Sequence, residues 1–383
     1  MKKNIPFLAA AFPALASFLL LLSSCETDFD VTGDWEEIPV VYGILDKEDA
    51  THYIRINKAF LGEEDAFRMA EENDSINFSN LTVRLIKATE EGVLLDSVEL
   101  IETFTNLEEG TFGDSGNAVQ KLWATNYALE DNKIYHLKVI NNFSGKIVTS
   151  QTPIVKKIGI TAPSTHPTVK VTFLNPTNAY QNFVVKFNPS ANAKIYETSI
   201  SFYYRDIDTV ALDTTLYAMR WKQANYVADG NENSVIQISI PGENFYSLLA
   251  STQTIYKFDN GTWVAVSSPD DTPVIKPLPA NYKRLIGKGK LNNDGNQNTD
   301  DHIDIFVNAG AQELYDYIEI NKPAASGVLL DKPVYTNIEN GLGIFSSRST
   351  HNSIPDKGLS PNSISQLKNG SYTSHLLFRE ELD

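Results

Sequence analysis

Asp294, Asn296, Asn298 and Asp300 alternate through Asn292–Asp304, NNDGNQNTDDHID, so side-chain oxygens recur at every second position. Calcium is held by such hard oxygen ligands, which makes this segment the best metal candidate in the chain. The segment departs from the EF-hand loop at two points: Thr299 stands where the turn glycine belongs, and Ile305 where the bidentate glutamate belongs. An ion-free Asn/Asp-rich loop is the leading reading and a calcium site the other; no further cofactor is expected. His302 and Asp304 share a face of the following strand and could serve a transition metal. The remaining histidines (His52, His136, His166, His351, His375) are scattered, without an HExxH pattern.

The patterns of covalent and phosphate chemistry are incomplete. Phe112–Asn117, FGDSGN, contains the Gly-Asp-Ser-Gly string of serine-protease nucleophiles, yet a triad also needs a placed His and Asp. The nearest upstream histidine, His52, lies in no matching context, and Gly-Asp-Ser-Gly is an ordinary turn. No GxSxG elbow occurs. Ile286–Leu291, IGKGKL, lacks the spacing of a phosphate loop and reads as a basic turn. Tyr203, Tyr204, Trp221, Tyr226, Tyr256 and Trp263 either form a stacking platform for sugars or peptides or, the leading reading, fill a core and cover its edges. The chain is therefore expected not to be an enzyme.

One residue carries a clearer chemistry. Cys25 is the only cysteine of 383 residues, so no intramolecular disulfide can form. It follows Met1-Lys2-Lys3, an apolar run from Ile5 to Leu22 broken by Pro6 and Pro13, and Ser23-Ser24. Basic start, apolar run and small residues are the order of a secretory leader, and the run is short and interrupted for a membrane span. Leu22-Ser23-Ser24-Cys25 resembles a bacterial lipobox, in which cleavage leaves the cysteine first and lipidated. Acyl chains contribute about 0.8 kcal/mol per buried methylene, enough in combination for stable anchoring. A buried structural thiol and a reactive thiol are the alternatives; only acids stand nearby to tune the latter.

The chain is acidic, with a net charge of −16, and removal of residues 1–24 deletes Lys2 and Lys3 but no acid. Such a surface repels nucleic acid and anionic headgroups. Glu26, Asp28, Asp30, Asp34, Glu36 and Glu37 make an acidic tether over 25–37, since like charges repel and extend a linker.

The elements that would position these residues are mostly strands. Val40–Leu45 and His52–Phe60 flank an acidic turn as one hairpin, and Leu81–Ile86 with Val93–Leu100 form a second. Ile134–Ile140 pairs with Ile147–Thr152, which brings the total to roughly seven strands before Pro153, the count of an immunoglobulin-like sandwich. Tyr135 opens its strand in the manner of a tyrosine corner, or is a plain edge aromatic. Glu63–Glu72 reads as a helical insertion. After a Pro- and Thr-rich junction, strands are expected at Lys170–Leu174, Phe183–Phe187, Ile195–Tyr204, Thr215–Lys222 and Val235–Ile240. Asn244 is placed to cap a helix from Phe245 to about Ser251. Ala311–Ile320 reads as a helix burying Leu314, Tyr317 and Ile318. No internal repeat is apparent.

Glu313–Thr350, ELYDYIEINKPAASGVLLDKPVYTNIENGLGIFSSRST, and Val40–Gly62, VVYGILDKEDATHYIRINKAFLG, resemble the two ends of an uncharacterised family of Bacteroidota outer-membrane lipoproteins, a domain of unknown function of the DUF4249 type. In that family a Tyr-rich helix precedes a proline-containing loop and a glycine-rich motif, here Thr336–Phe345; Asn340 replaces the usual first glycine, a position where Asn tolerates positive φ. The resemblance implies a lipidated, two-lobed β-sandwich protein, often encoded beside a TonB-dependent transporter, and carries over no catalytic residue. Asn337, Ile338, Gly341, Gly343 and Phe345 read as a tight loop packed on a core, with a ligand cradle as the alternative.

The expected fold is mainly β: two immunoglobulin-like/β-sandwich lobes with a few short helices. The divisions are a leader at 1–24, the tether at 25–37, an immunoglobulin-like domain at 38–155, a second β-rich domain with short helices at 156–345, and a loosely ordered C-terminal tail at 346–383. The expected function is a lipid-anchored binding or accessory protein of the outer membrane, surface-exposed rather than periplasm-facing, partnering a TonB-dependent transporter. The alternatives are a structural or adhesive surface protein and an unrecognised hydrolase.

Overall fold

The computed structural model describes residues 37–59, 76–106, 119–230, 234–251, 255–266, 275–290, 301–322 and 335–381. Alternation of apolar and polar residues builds the first lobe. In β1 (Ile38–Asp46) and β2 (His52–Ala59) the side chains of Val41, Leu45, Ile54 and Ile56 point inward and are buried. These strands join β6 (Val119–Thr125) and β5 (Ile101–Asn106) in the order β5-β6-β2-β1. A second sheet has the order β4-β3-β7-β8, from β3 (Leu81–Ala88), β4 (Leu94–Glu99), β7 (Ile134–Asn141) and β8 (Ile147–Pro153). This is the two-sheet arrangement of an immunoglobulin-like sandwich, with Trp123, Leu137 and Val139 between the layers.

The chain passes from one core to the next between Ile154, packed in the first, and Val155, packed in the second. The second lobe contains β9 (Ile160–Ala162), β10 (Phe183–Phe187), β11 (Ile195–Asp208), β12 (Thr214–Lys222), β13 (Tyr226–Val227) and β14 (Ile236–Ile240). Helix α1 (Gly242–Ala250) and the hairpin β15 (Ile255–Asp259) and β16 (Thr262–Val266) follow. Then come β17 (Tyr282–Ile286), β18 (Ile303–Gly310), α2 (Gln312–Asn321), β19 (Leu342–Ser349), β20 (Ser353–Lys357), α3 (Pro361–Asn369) and β21 (Phe378–Arg379). A small sheet β14-β10-β9 covers one side of the second core.

One large sheet joins the lobes in the order β16-β15-β12-β11-β18-β19-β1-β2-β6-β5. The joint is β19, parallel to β1 from Val40↔Leu342 to Asp46↔Arg348. Gly343 makes this approach feasible: its φ is +105°, and a Cβ there would lie 2.0 Å from the Val41 carbonyl oxygen.

Both lobes open a central strand on a tyrosine corner. Tyr135 is fully buried and its hydroxyl accepts the Glu130 N–H at 2.9 Å; Tyr196 does the same with the Ser190 N–H at 2.8 Å. Each follows an asparagine with positive φ, Asn132 and Asn192, within similar strings, NKIY and NAKIY. The corner expected at Tyr135 is present, and its counterpart is a short repeated device that the sequence did not suggest.

Several expectations need correction. The tail from Ser346 is built in: β21 pairs with β17, and Leu367, Leu376 and Phe378 sit in the second core. Part of its burial is polar, which hid it from a hydrophobic pattern. Ser346, Ser347 and Ser349 are buried, with Ser347 Oγ donating to the Pro153 carbonyl and accepting the Val155 N–H at 3.1 Å. Lys170–Leu174 makes only isolated bridges, because Val171 and Leu174 pair singly with Leu359 and Tyr180. Helix α1 starts at Gly242, so Asn244 lies in its first turn rather than at its cap. Leu314, Tyr317 and Ile318 are half-buried, since α2 packs on the sheet from one side only. The expected helix at Glu63–Glu72 lies outside the described residues, as do Cys25 and FGDSGN.

Gly343→Ala adds an atom against backbone at a left-handed position, and the joint cannot accommodate it without separating β1 from β19. The expected loss is about 2–4 kcal/mol of unfolding free energy in urea titrations; a variant as stable as wild type would show that the pairing is not needed.

Candidate functional site

The outer face of β4-β3-β7-β8 is set by strand parity. Tyr135, Leu137 and Val139 point into the first core, so His136 and Lys138 point out, beside Gln151 and Thr149 of the paired β8. The segment before β19 crosses this edge. The N–H of Glu339 donates to the Thr149 carbonyl at 2.8 Å, Ser150 Oγ to the Asn337 carbonyl at 2.7 Å, and Asn340 Nδ2 to the Ile147 carbonyl at 3.1 Å. Ile338 anchors the segment by entering the first core. Asn337 also bonds both backbone groups of Phe345, its Nδ2 to the carbonyl at 2.6 Å and its Oδ1 from the N–H at 2.9 Å. Asn340 takes φ +60°, as its replacement of a glycine requires. Asn337, Ile338, Gly341, Gly343 and Phe345 thus act first as packing, and Asn337 also lines a cleft.

That cleft, about 640 Å³, lies between the outer sheet face, the crossing segment and the first turn of α2. Its volume is that of a small-molecule site. Ile86 and Leu94 supply apolar wall; His136, Lys138, Thr149, Gln151, Asn337, Glu339 and Glu313 supply polar groups. Glu313 is brought in by α2, which can sit close to its sheet because Gly310 has no Cβ: one there would be 2.7 Å from Leu314 Cδ2.

The Glu313 carboxylate is poorly served. It accepts the Thr152 hydroxyl at 3.4 Å and the Ser346 hydroxyl at 3.3 Å, both at the long end of hydrogen bonding. Burial pushes its carboxyl above the usual glutamate range, more than these hydroxyls and the backbone lower it. Among the described residues no cation pairs with it. His136 Nε2 is buried and has no hydrogen-bond partner. Glu339 is occupied by the Thr149 hydroxyl at 2.6 Å. With Ser150 Oγ bonded to a carbonyl, it forms no nucleophile–base pair with His136, and the arrangement offers hydrogen-bond acceptors to a ligand.

A second cluster surrounds β18 in the second lobe. Lys288 Nζ bonds both Asp304 oxygens, at 2.6 and 2.7 Å, and Asp356 Oδ1 at 2.8 Å; Lys290 Nζ also reaches Asp356. The Tyr203 hydroxyl donates to Asp304 at 2.9 Å, and burial pushes its pKa up. His302 Nδ1 accepts the Leu359 N–H at 3.1 Å. Asp304 and His302 thus hold protein partners, Lys288, Asp356 and Leu359, that are separated from them in sequence. The calcium candidates Asp294, Asn296, Asn298 and Asp300 lie outside the described residues.

Asp46, Asp49 and His351 also converge, from positions too separated for a motif. His351 Nδ1 is 3.7 Å from Asp46 and its Nε2 3.6 Å from Asp49, so the ring bridges two carboxylates through opposite nitrogens. Asp46 is further engaged by the Thr350 N–H and hydroxyl, at 2.8 and 2.7 Å. The six aromatics divide by strand parity. Tyr204 is in the second core with Tyr226 and Trp221 packed against it, whereas Tyr203 and Tyr256 lie on the other face with Trp263, and Arg220 stands 4.4 Å from the Tyr256 ring.

Residues 26–353 match the model of a family described as "Domain of unknown function (DUF4249)". No curated protein and no solved structure matches the chain. Among the described residues no helix is long and apolar enough to cross a membrane.

Because folding raises the Glu313 pKa, the protonated acid is the form the fold favours. The associated stability is fully present below the ordinary value of 4.5 and is lost as pH rises through the folded value. Glu313→Gln is therefore expected to raise the melting temperature by a few degrees at pH 7.5, with the gain shrinking toward zero near pH 4. A Gln variant less stable than wild type at pH 7.5 would refute the unpaired-carboxylate reading.

Proposed function

The chain belongs to the DUF4249 family, a domain of unknown function, and from that premise we propose that it is a lipid-anchored binding protein of the bacterial outer membrane. It faces the cell surface and serves as an accessory subunit to a TonB-dependent transporter. The carrying observation is Leu22-Ser23-Ser24-Cys25, with the family match beginning at residue 26. Lipid on Cys25, followed by the acidic residues Glu26 to Glu37, would hold the two lobes beside a membrane on an extended leash. The cleft adds support for binding, since its polar groups present acceptors to a ligand without a paired nucleophile and base.

A second reading, a structural or adhesive surface protein, draws on the first lobe's outer edges. Leu94, Ile101 and Phe104 on β4 and β5 are more than 60% exposed, and edge strands with apolar side chains accept partner strands.

Cys25→Ser tests the anchor. Native protein is expected in the membrane fraction with fatty acid on residue 25, and the variant in the soluble fraction. Pull-down from detergent-solubilised membranes is expected to recover an outer-membrane transporter. Unmodified Cys25 in the native protein would remove the anchor, and a pull-down without any transporter would favour the adhesive reading.

A further inference from the structure

Glu313 places a carboxylate in the cleft without a cation, an arrangement that works against stability. A buried charge is retained cheaply only when it is paired and well hydrogen-bonded. Its two hydroxyl donors are 3.3 and 3.4 Å away. Lys138 also lines the cleft but makes no ion pair with it. His136, another lining residue, has a buried Nε2 without a hydrogen-bond partner. A carboxylate with two long hydroxyl bonds and no cation therefore lines the cavity, and the complementary group is a donor carrying positive charge. The cleft also has apolar lining: Ile86 is half-buried, and Leu94 is 65% exposed on an edge strand, where a hydrocarbon chain would cover it.

We propose that the cleft between the outer face of the first lobe and α2 binds an alkylammonium group, with Glu313 as counter-ion and Ile86 and Leu94 against the alkyl chain. The ammonium supplies three donors, and a charge-assisted bond to a desolvated carboxylate is about twice as strong as a neutral one. The group is carried either by a free amine or by a lysine side chain of a peptide; the chemistry is shared. This assignment rests on the binding reading above, but it needs neither lipid on Cys25 nor a transporter.

The test is calorimetric titration of the full-length protein in detergent at pH 7.5 and low salt, using n-hexylamine and Gly-Lys-Gly as probes. 1-Hexanol and Gly-norleucine-Gly serve as their uncharged counterparts. At least one amine is expected to bind saturably with one site, at least tenfold tighter than its counterpart, and to weaken at least tenfold in Glu313→Gln. That variant is expected to fold more stably than wild type, so loss of binding is not loss of structure. Binding of hexylamine alone identifies a free amine as the source, and binding of the peptide identifies a lysine side chain. No saturable binding by either amine, equal binding by an uncharged counterpart, or undiminished binding by Glu313→Gln overturns the proposal. In each of those cases, membrane retention through Cys25 would stand untouched.

Discussion

The parallel pairing of β19 with β1 is the constraint on which the rest of the molecule depends. Without it the first lobe is a separate sandwich; with it, one sheet runs from β16 to β5 through both cores. The pairing is local chemistry as much as topology. Phe345 enters the first core beside Gly43, where a Cβ would meet its ring at 3.0 Å, and Gly343 lies flat on the Val41 carbonyl. Small residues on both strands thus allow a close approach that a large aromatic then fills. Because β19 also pairs with β18 through Ala309 and Gly310, displacement of one lobe is felt directly in the other.

The cleft is a product of this joint. Its walls come from β7 and β8 of the first lobe, and from α2 and the segment before β19, nearly two hundred residues later in the chain. Ile338 and Asn337 hold that segment in register, the first by burial and the second through both backbone groups of Phe345. The same joint leaves Glu313 half-buried at the wall of the cleft. Several buried polar groups are well satisfied: Ser347 bridges Pro153 and Val155, Asp46 takes two bonds from Thr350, and Lys288 is shared by Asp304 and Asp356. Others, among them Thr198 Oγ1, Arg205 Nε and His136 Nε2, have no hydrogen-bond partner. Glu313, with two long hydroxyl bonds and no cation among the described residues, is a position where stability has been given up, as binding sites commonly require.

Much of the fold was legible in residue patterns. The hairpins β1–β2 and β3–β4, the pair β7–β8 and the core strands β10 to β12 follow from period-two alternation with turn residues between. Helix α2 and the packing role of Ile338 and Gly343 were also readable. The tail was not, because β19 is buried through serines whose partners lie some 190 residues away. Lys170–Leu174 has strand composition without a continuous ladder partner, and β-propensity cannot supply one. Of the cleft, only Asn337 had been singled out, and for packing. His136 reads in the sequence as one of the scattered histidines, and no pattern singles out Glu313. Their significance comes from what is missing around them, which spacing along a chain does not encode.

Native-state hydrogen exchange read at individual amides tests the joint most directly. If β1 and β19 weld the lobes, the amides of 342–349 exchange only through global unfolding, with the same opening free energy as those of β7 and β11. Exchange of 342–349 at markedly lower free energy, or separate opening energies for the two lobes, would contradict a single welded sheet and with it the cleft that the sheet forms.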